Sequence, residues 1–372
     1  MPACRDHRYM TTTVPRPEAS GSLRRRLWRL AETVTTPVLP GDYLDLIAPL
    51  RAGTDLRGRI LAVRPETPDA ATLVIRPGRG WRGHLPGQYV RLGVDVDGVR
   101  QWRAYSVTSP PGRHPEPISV TVKAIEDGVV SNHLVRRVRP GTIVQLDQAQ
   151  GDFVLPEATP DRVLFLTAGS GITPVAGMLR SGALAGRDVV LVHSAPTAAD
   201  VVFGAELRGL AEQGVIRLVE RHTSVDGLLD VAELDTLVPD HLDRETWACG
   251  PLGLLDAAEA HWSARGHAQR LHTERFRPTI ITAGEGGTVT FTRSSVTVEA
   301  DGGTPLLDAG ENAGVLMPSG CRMGICFGCV LPLRQGAVRD LRNGELTTAL
   351  PGDGVRVQTC VSAAAGPCEL EI

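Results

Sequence analysis

Four of the seven cysteines, Cys321, Cys326, Cys329 and Cys360, follow the spacing Cys-x4-Cys-x2-Cys, with the fourth 31 positions beyond the third. Three thiolates on one tight loop can grip an iron–sulfur rhombus while a distant strand delivers the fourth, the spacing of a [2Fe–2S] cluster. Gly320, Gly324 and Gly328 in "GCRMGICFGC" let the backbone wrap the inorganic sulfides and aim N–H groups at them. The alternatives are a zinc site, which more often shows paired short spacings, and unligated buried thiols. Cys4 and Cys368 read as free thiols.

Three further stretches carry chemistry. In "RAYSVTS", Arg103 can pair with a phosphate through its planar fork, and Tyr105 can lie flat on an isoalloxazine ring. The Ser106 hydroxyl can hydrogen-bond a ring nitrogen that gains electron density on reduction. An ordinary strand with alternating side chains is the plainer reading. In "LFLTAGSGITP" an apolar strand runs into Gly169 and Gly171, then Thr173 and Pro174 at the first turn of a helix. Such a turn lets backbone N–H groups approach a pyrophosphate at a helix N-terminus. In "ACGP", Cys249 and Gly250 end a short apolar run, where a cysteine is more often a core residue.

The pattern of the chain suggests what must position them. Residues from about 56 to 155 alternate like short strands broken by Pro-Gly and Asp-Gly turns, which predicts a small barrel. From about 160 to 275, apolar runs alternate with helical segments, as in a parallel α/β domain. A glycine-bearing linker precedes a last module at 283–372, with six arginines against ten acids. Residues 1–30 hold seven arginines against Asp6 and Glu18, and Ser22 could cap a short helix with Leu23, Leu27, Leu30 and Val34 on one face.

The cysteine module resembles plant-type ferredoxin domains, and the residues upstream resemble the ferredoxin–NADP⁺ reductase superfamily; together they cover roughly residues 56–372. The resemblance implies a six-stranded antiparallel flavin barrel, a Rossmann-like α/β nicotinamide domain and a β-grasp ferredoxin-like [2Fe–2S] domain. The corresponding division is a basic extension at 1–55, an FAD-binding barrel at 56–155, an NAD(P)-binding domain at 156–278 and the ferredoxin domain at 283–372. "RAYS" matches the family's Arg-x-Tyr-Ser signature, which would set Ser106 against flavin N5. "GVVSNHL", with Gly128 and Ser131, resembles the second phosphate-binding element of FAD-binding members, so FAD is expected over FMN. Cys249 and Gly250 match the Cys-Gly element beside the nicotinamide, and Phe276 in "ERFRP" could stack on the flavin or simply pack. The second strand of the nicotinamide domain ends without an acid, and Ser194 there could accept a phosphate. Ala195 stands where phosphate-binding members often carry Arg. NADPH is the expected donor, with NADH the other candidate.

The implied path runs from NAD(P)H to FAD to [2Fe–2S] to an outside acceptor protein. The module order and "PSGCRMGICFGC" look like reductases serving membrane fatty-acyl desaturases or alkane hydroxylases. Reductases of soluble ring-hydroxylating oxygenases or cytochromes P450, or a non-enzymatic redox sensor, are the alternatives. With 372 residues, 42% hydrophobic and 22% charged, the chain can bury several cores. Its net charge of −3 argues against a general nucleic-acid binder. No apolar run reaches the ~20 residues of a membrane span, so a cytoplasmic protein is expected, with peripheral contact at the inner membrane face through the basic extension as a further expectation.

Overall fold

The computed structural model describes residue 50 and residues 55–96, 98–112, 115–126, 128–276, 283–320, 322, 324 and 327–372. The expected helix after Ser22 and the cysteines Cys4, Cys321 and Cys326 lie outside the described residues.

Six strands build the first sheet: β1 (Arg57–Thr67), β2 (Ala70–Pro77), β3 (Tyr89–Val96), β4 (Val99–Ser106), β5 (Ile118–Lys123) and β6 (Ile143–Leu146). Their order is β4-β3-β6-β1-β2-β5, with every neighbour antiparallel. A bridge between Val107 and Val120, with Thr108 N–H donating to Ser119 O at 2.8 Å, joins the continuation of β4 to β5 and closes the barrel. Alternation puts Ile60, Leu73, Ile75, Val90, Leu92, Val120 and Leu146 inside. Helix α1 (Val129–Arg136) caps this core with Val130 and Leu134. Burial of each such side chain contributes about 1.5–3 kcal/mol.

The second sheet is parallel throughout. It holds β7 (Arg162–Ala168), β8 (Asp188–Ala195), β9 (Arg217–His222), β10 (Glu245–Cys249) and β11 (Leu271–Glu274), in the order β11-β10-β7-β8-β9. The continuous apolar run in β7 follows from burial on both faces: Val163 and Phe165 enter one core, Leu164 and Leu166 the other. Helices α2 (Ile172–Leu179), α3 (Gly204–Glu212) and α4 (Leu252–Ala264) supply the covering layers. Strand β11 is short and half-buried, and its sequence carries no period that announces it.

Barrel and parallel sheet are joined by polar contacts of the backbone. Arg180, just past α2, donates to Thr108 O at 2.6 Å, and Trp247 Nε1 of β10 donates to Val154 O at 3.3 Å. Trp247 also stacks on His272 at 4.7 Å between centroids.

The third sheet contains β12 (Gly287–Phe291), β13 (Val296–Ala300), β14 (Val330–Asp340), β15 (Leu346–Ala349), β16 (Arg356–Gln358) and β17 (Ser362–Leu370). The order is β13-β12-β17-β14-β15, with β16 also paired to β14, and only β12 with β17 is parallel. Helix α5 (Leu306–Asn312) seals it by burying Leu306 and Leu307 completely. The three architectures are those expected from the sequence. No helix among the described residues is long and apolar enough to cross a membrane.

Candidate functional site

At the end of β4 the backbone alternates Arg103 and Tyr105 to one face and Ser106 to the other, with Ser106 opposite Tyr89. Ser106 is 3% exposed, and its Oγ has no hydrogen-bond partner among the described residues. A buried hydroxyl left so costs free energy unless a ligand completes it. Burial raises the Tyr105 phenol and keeps it neutral. Burial, and behind it the charge of Arg322, pulls the Arg103 guanidinium down to about 10.

Gly128 forms the N-cap of α1, whose first turn has no acid and no side-chain cap bond. Ser131 Oγ donates to Gly128 O at 3.2 Å and accepts from Ile125 N–H at 3.3 Å, so its hydroxyl shapes the turn. The open N-terminus suits an anion.

Gly169–Gly171 forms a single turn between β7 and α2, and Thr173 Oγ1 donates back to Ser170 O at 2.9 Å. Pro174 is buried in the first turn of α2. A Cβ at Gly171 would lie 2.0 Å from Cys249 O, so only glycine allows α2 to close on β10 here. Gly250 follows, packed against Ala168. Cys249 is fully buried and its thiol is pushed well up, by burial first and then by Glu274.

Glu274 was not among the residues singled out from the sequence. It ends β11 in register with Cys249, its Oε2 is buried without a partner among the described residues, and burial pushes its carboxyl up to about 8. An acid closing a four-residue edge strand gives no local signal; only the parallel pairing with β10 brings it to the site. Phe276, two positions on, is 37% exposed.

Ser194, next to last in β8, is 6% exposed with its Oγ unpartnered among the described residues. Beside it, His193 binds Thr167 Oγ1 through Nδ1 at 2.8 Å, and burial lowers its imidazole to about 4. The arginine missing at Ala195 has a counterpart on the next strand. Arg221 of β9 is registered with Ser194, where it is paired with Glu233 at 2.6 Å.

Cys329 and Cys360 are buried and unbridged, with sulfurs 3.2 Å apart. Two thiolates on one tetrahedral metal sit near that separation, about 3.7 Å. Gly324, at φ +76°, turns the loop, and its carbonyl accepts from Arg342 at 3.1 Å and Gln358 at 2.8 Å. Arg322 is held by Asp308 at 3.0 Å and by Glu311. The charges of Arg322, Glu311 and Asp308 all act on the Arg103 guanidinium. The unpartnered Ser106 hydroxyl, the open α1 N-terminus and the close thiol pair fit a flavin and an iron–sulfur cluster.

Comparison with known proteins agrees. Residues 79–155 match the oxidoreductase FAD-binding domain family, and residues 289–365 match the 2Fe-2S iron-sulfur cluster binding domain family. The chain is 52% identical over 368 residues to an NADPH oxidoreductase of Mycobacterium tuberculosis, covering 96% of each. It is 32% identical over 310 residues to the ferredoxin reductase component of a 3-ketosteroid-9-alpha-monooxygenase from the same species, covering 75% of this chain and 85% of that one. The fold is shared with phthalate dioxygenase reductase at a TM-score of 0.57 and 20% identity, over 85% of this chain and 97% of the other. The chain therefore belongs to the ferredoxin–NADP⁺ reductase superfamily, as an FAD- and [2Fe–2S]-dependent NAD(P)H oxidoreductase whose ferredoxin-like domain follows the nucleotide domain.

Proposed function

We propose that this protein takes electrons from NADPH and delivers them singly to an oxygen-activating enzyme, a membrane fatty-acyl desaturase or alkane hydroxylase. The observation that carries the reading is the buried Ser106 hydroxyl, unpartnered among the described residues, in the same chain as the Cys329 and Cys360 sulfurs 3.2 Å apart. A flavin held here would accept one hydride, carrying two electrons, and could release those electrons one at a time to a [2Fe–2S] cluster. The chain's own residues do the rest. Ser106 offers its buried hydroxyl to the flavin ring, while Arg103, Gly128 and the α1 N-terminus hold the phosphates. Tyr105 and Phe276 flank the ring. Gly169, Gly171, Thr173 and Pro174 receive the pyrophosphate of the dinucleotide, and Cys249 with Gly250 forms the floor under the nicotinamide. Glu274 keeps a proton beside that floor up to about pH 8. Cys321, Cys326, Cys329 and Cys360 are the proposed iron ligands.

NADPH is favoured by the 52%-identical relative and by the acid-free end of β8, with Ser194 as the phosphate acceptor. The desaturase or alkane hydroxylase reading rests on the order of modules and the cysteine loop. A soluble monooxygenase is the second reading, favoured by the name of the 32%-identical relative. Anaerobic titration with NADPH and NADH tests the internal path: flavin bleaching should precede a reduced-cluster EPR signal, and Cys360→Ser should keep the bleaching and lose the signal. Bleaching without any cluster signal in the wild type would refute it. Reconstitution with a membrane desaturase and with a soluble oxygenase then separates the acceptors. Negligible NADPH-dependent cytochrome c reduction would point instead to a redox sensor.

A further inference from the structure

We propose that Asp235, His241 and His261 form a site for a divalent transition-metal ion of the zinc class, at the edge of the parallel sheet opposite the nicotinamide floor. His241 lies in the turn His241–Asp243 that leads into β10, His261 on α4, and Asp235 in the helical turn Leu234–Leu237. Their ligand atoms all lie within 4.8 Å of one another. His241 Nε2 is 2.9 Å from His261 Nε2 and 3.6 Å from Asp235 Oδ1. Ligands of a tetrahedral zinc ion, with bonds near 2.0–2.1 Å, stand about 3.3 Å apart. The imidazoles need to separate by only a few tenths of an ångström.

The surrounding hydrogen bonds suit the ion. His241 Nδ1 faces Val238 O at 3.0 Å and must donate to it, which leaves Nε2 as a bare lone pair. Trp262 stands edge-on to the same ring at 5.3 Å. Without metal, His261 carries its proton on Nε2 toward His241, because Arg265 donates to its Nδ1 at 2.8 Å. Metal binding moves that proton to Nδ1 with no net release. Arg265 then keeps its other partner, Asp235 Oδ2, at 3.2 Å. Both imidazoles are buried while the Asp235 side chain is 53% exposed, so a water can reach the fourth position.

Strand β10, about 13 Å from end to end, lies between His241 and Cys249. Occupancy therefore ties the turn before β10 to α4 without touching hydride transfer. The test is calorimetric titration of Zn²⁺ into flavin- and cluster-loaded protein, with thermal melting alongside. Wild type should bind one equivalent, and its melting point should rise with Zn²⁺. Asp235→Asn, a change at an exposed side chain, should bind at least roughly tenfold more weakly, His261→Gln should not bind, and neither should gain thermal stability from Zn²⁺. Arg265→Gln should bind at least as tightly as wild type, and NADPH-dependent flavin reduction should be the same in all. Equal Zn²⁺ uptake by wild type and Asp235→Asn, or none by wild type, overturns the proposal.

Discussion

The two edges of the five-stranded parallel sheet are made from the same strands and treat their polar groups in opposite ways. At the amino-terminal edge Arg244 is 5% exposed yet fully engaged. It donates to Asp188 O at 3.0 Å and pairs with Asp188 at 2.6 Å and Asp240 at 2.8 Å. At the carboxyl edge Ser194 Oγ, His193 Nε2 and Glu274 Oε2 are buried with no partner among the described residues. Buried polar groups are ordinarily satisfied. At the first edge Arg244 spends its bonds on stability, whereas the second edge keeps these three groups for a ligand, where strand ends of open α/β sheets receive one.

That contrast can be broken by mutation. The largest effect is expected at the carboxyl edge from Gly171→Ala, whose methyl would collide with Cys249 O. Displacing α2 from β10 should lower the rate of flavin reduction by NADPH in stopped flow by about 100-fold. At the other edge, Arg244→Ala should cost about 2–4 kcal/mol in urea unfolding while the folded protein keeps its flavin reduction rate. A comparable loss of both would erase the distinction between edges. Ser106→Ala, at the flavin strand, should slow flavin reduction by about tenfold yet change stability by less than about 0.5 kcal/mol, because its hydroxyl gives up no bond among the described residues.

Glu274→Gln sharpens the comparison through pH. The folded carboxyl titrates near 8 against an ordinary 4.5, so its protonated form is the one the fold favours. Its contribution to stability is complete below about 4.5 and is lost as pH rises through 8. Denaturation midpoints of the variant should lack that decline, and the flavin reduction rate should lose any inflection near pH 8. The smallest effect belongs to Ser194→Ala, with the KM for NADPH rising about threefold and that for NADH unchanged.

Much of this was legible in the sequence because it is local. Alternation marks β1 to β6, the apolar runs mark β7 to β10, and the glycines of "GSGITP" announce the turn before α2. What stayed hidden is what pairing creates. Strand β11 has no period, so Glu274 could not be placed beside Cys249. Arg221 reaches Ser194 only because β9 runs parallel to β8. The His241–His261 contact likewise joins a turn to a helix with β10 between them in the chain.

The bonds from Arg180 to Thr108 O and from Trp247 to Val154 O have a mechanical consequence. Each anchors a side chain of one module on the main chain of the other, so neither half can open without breaking both bonds. Heat should melt the first two modules as a single calorimetric transition, and proteases should find no early cut at their junction.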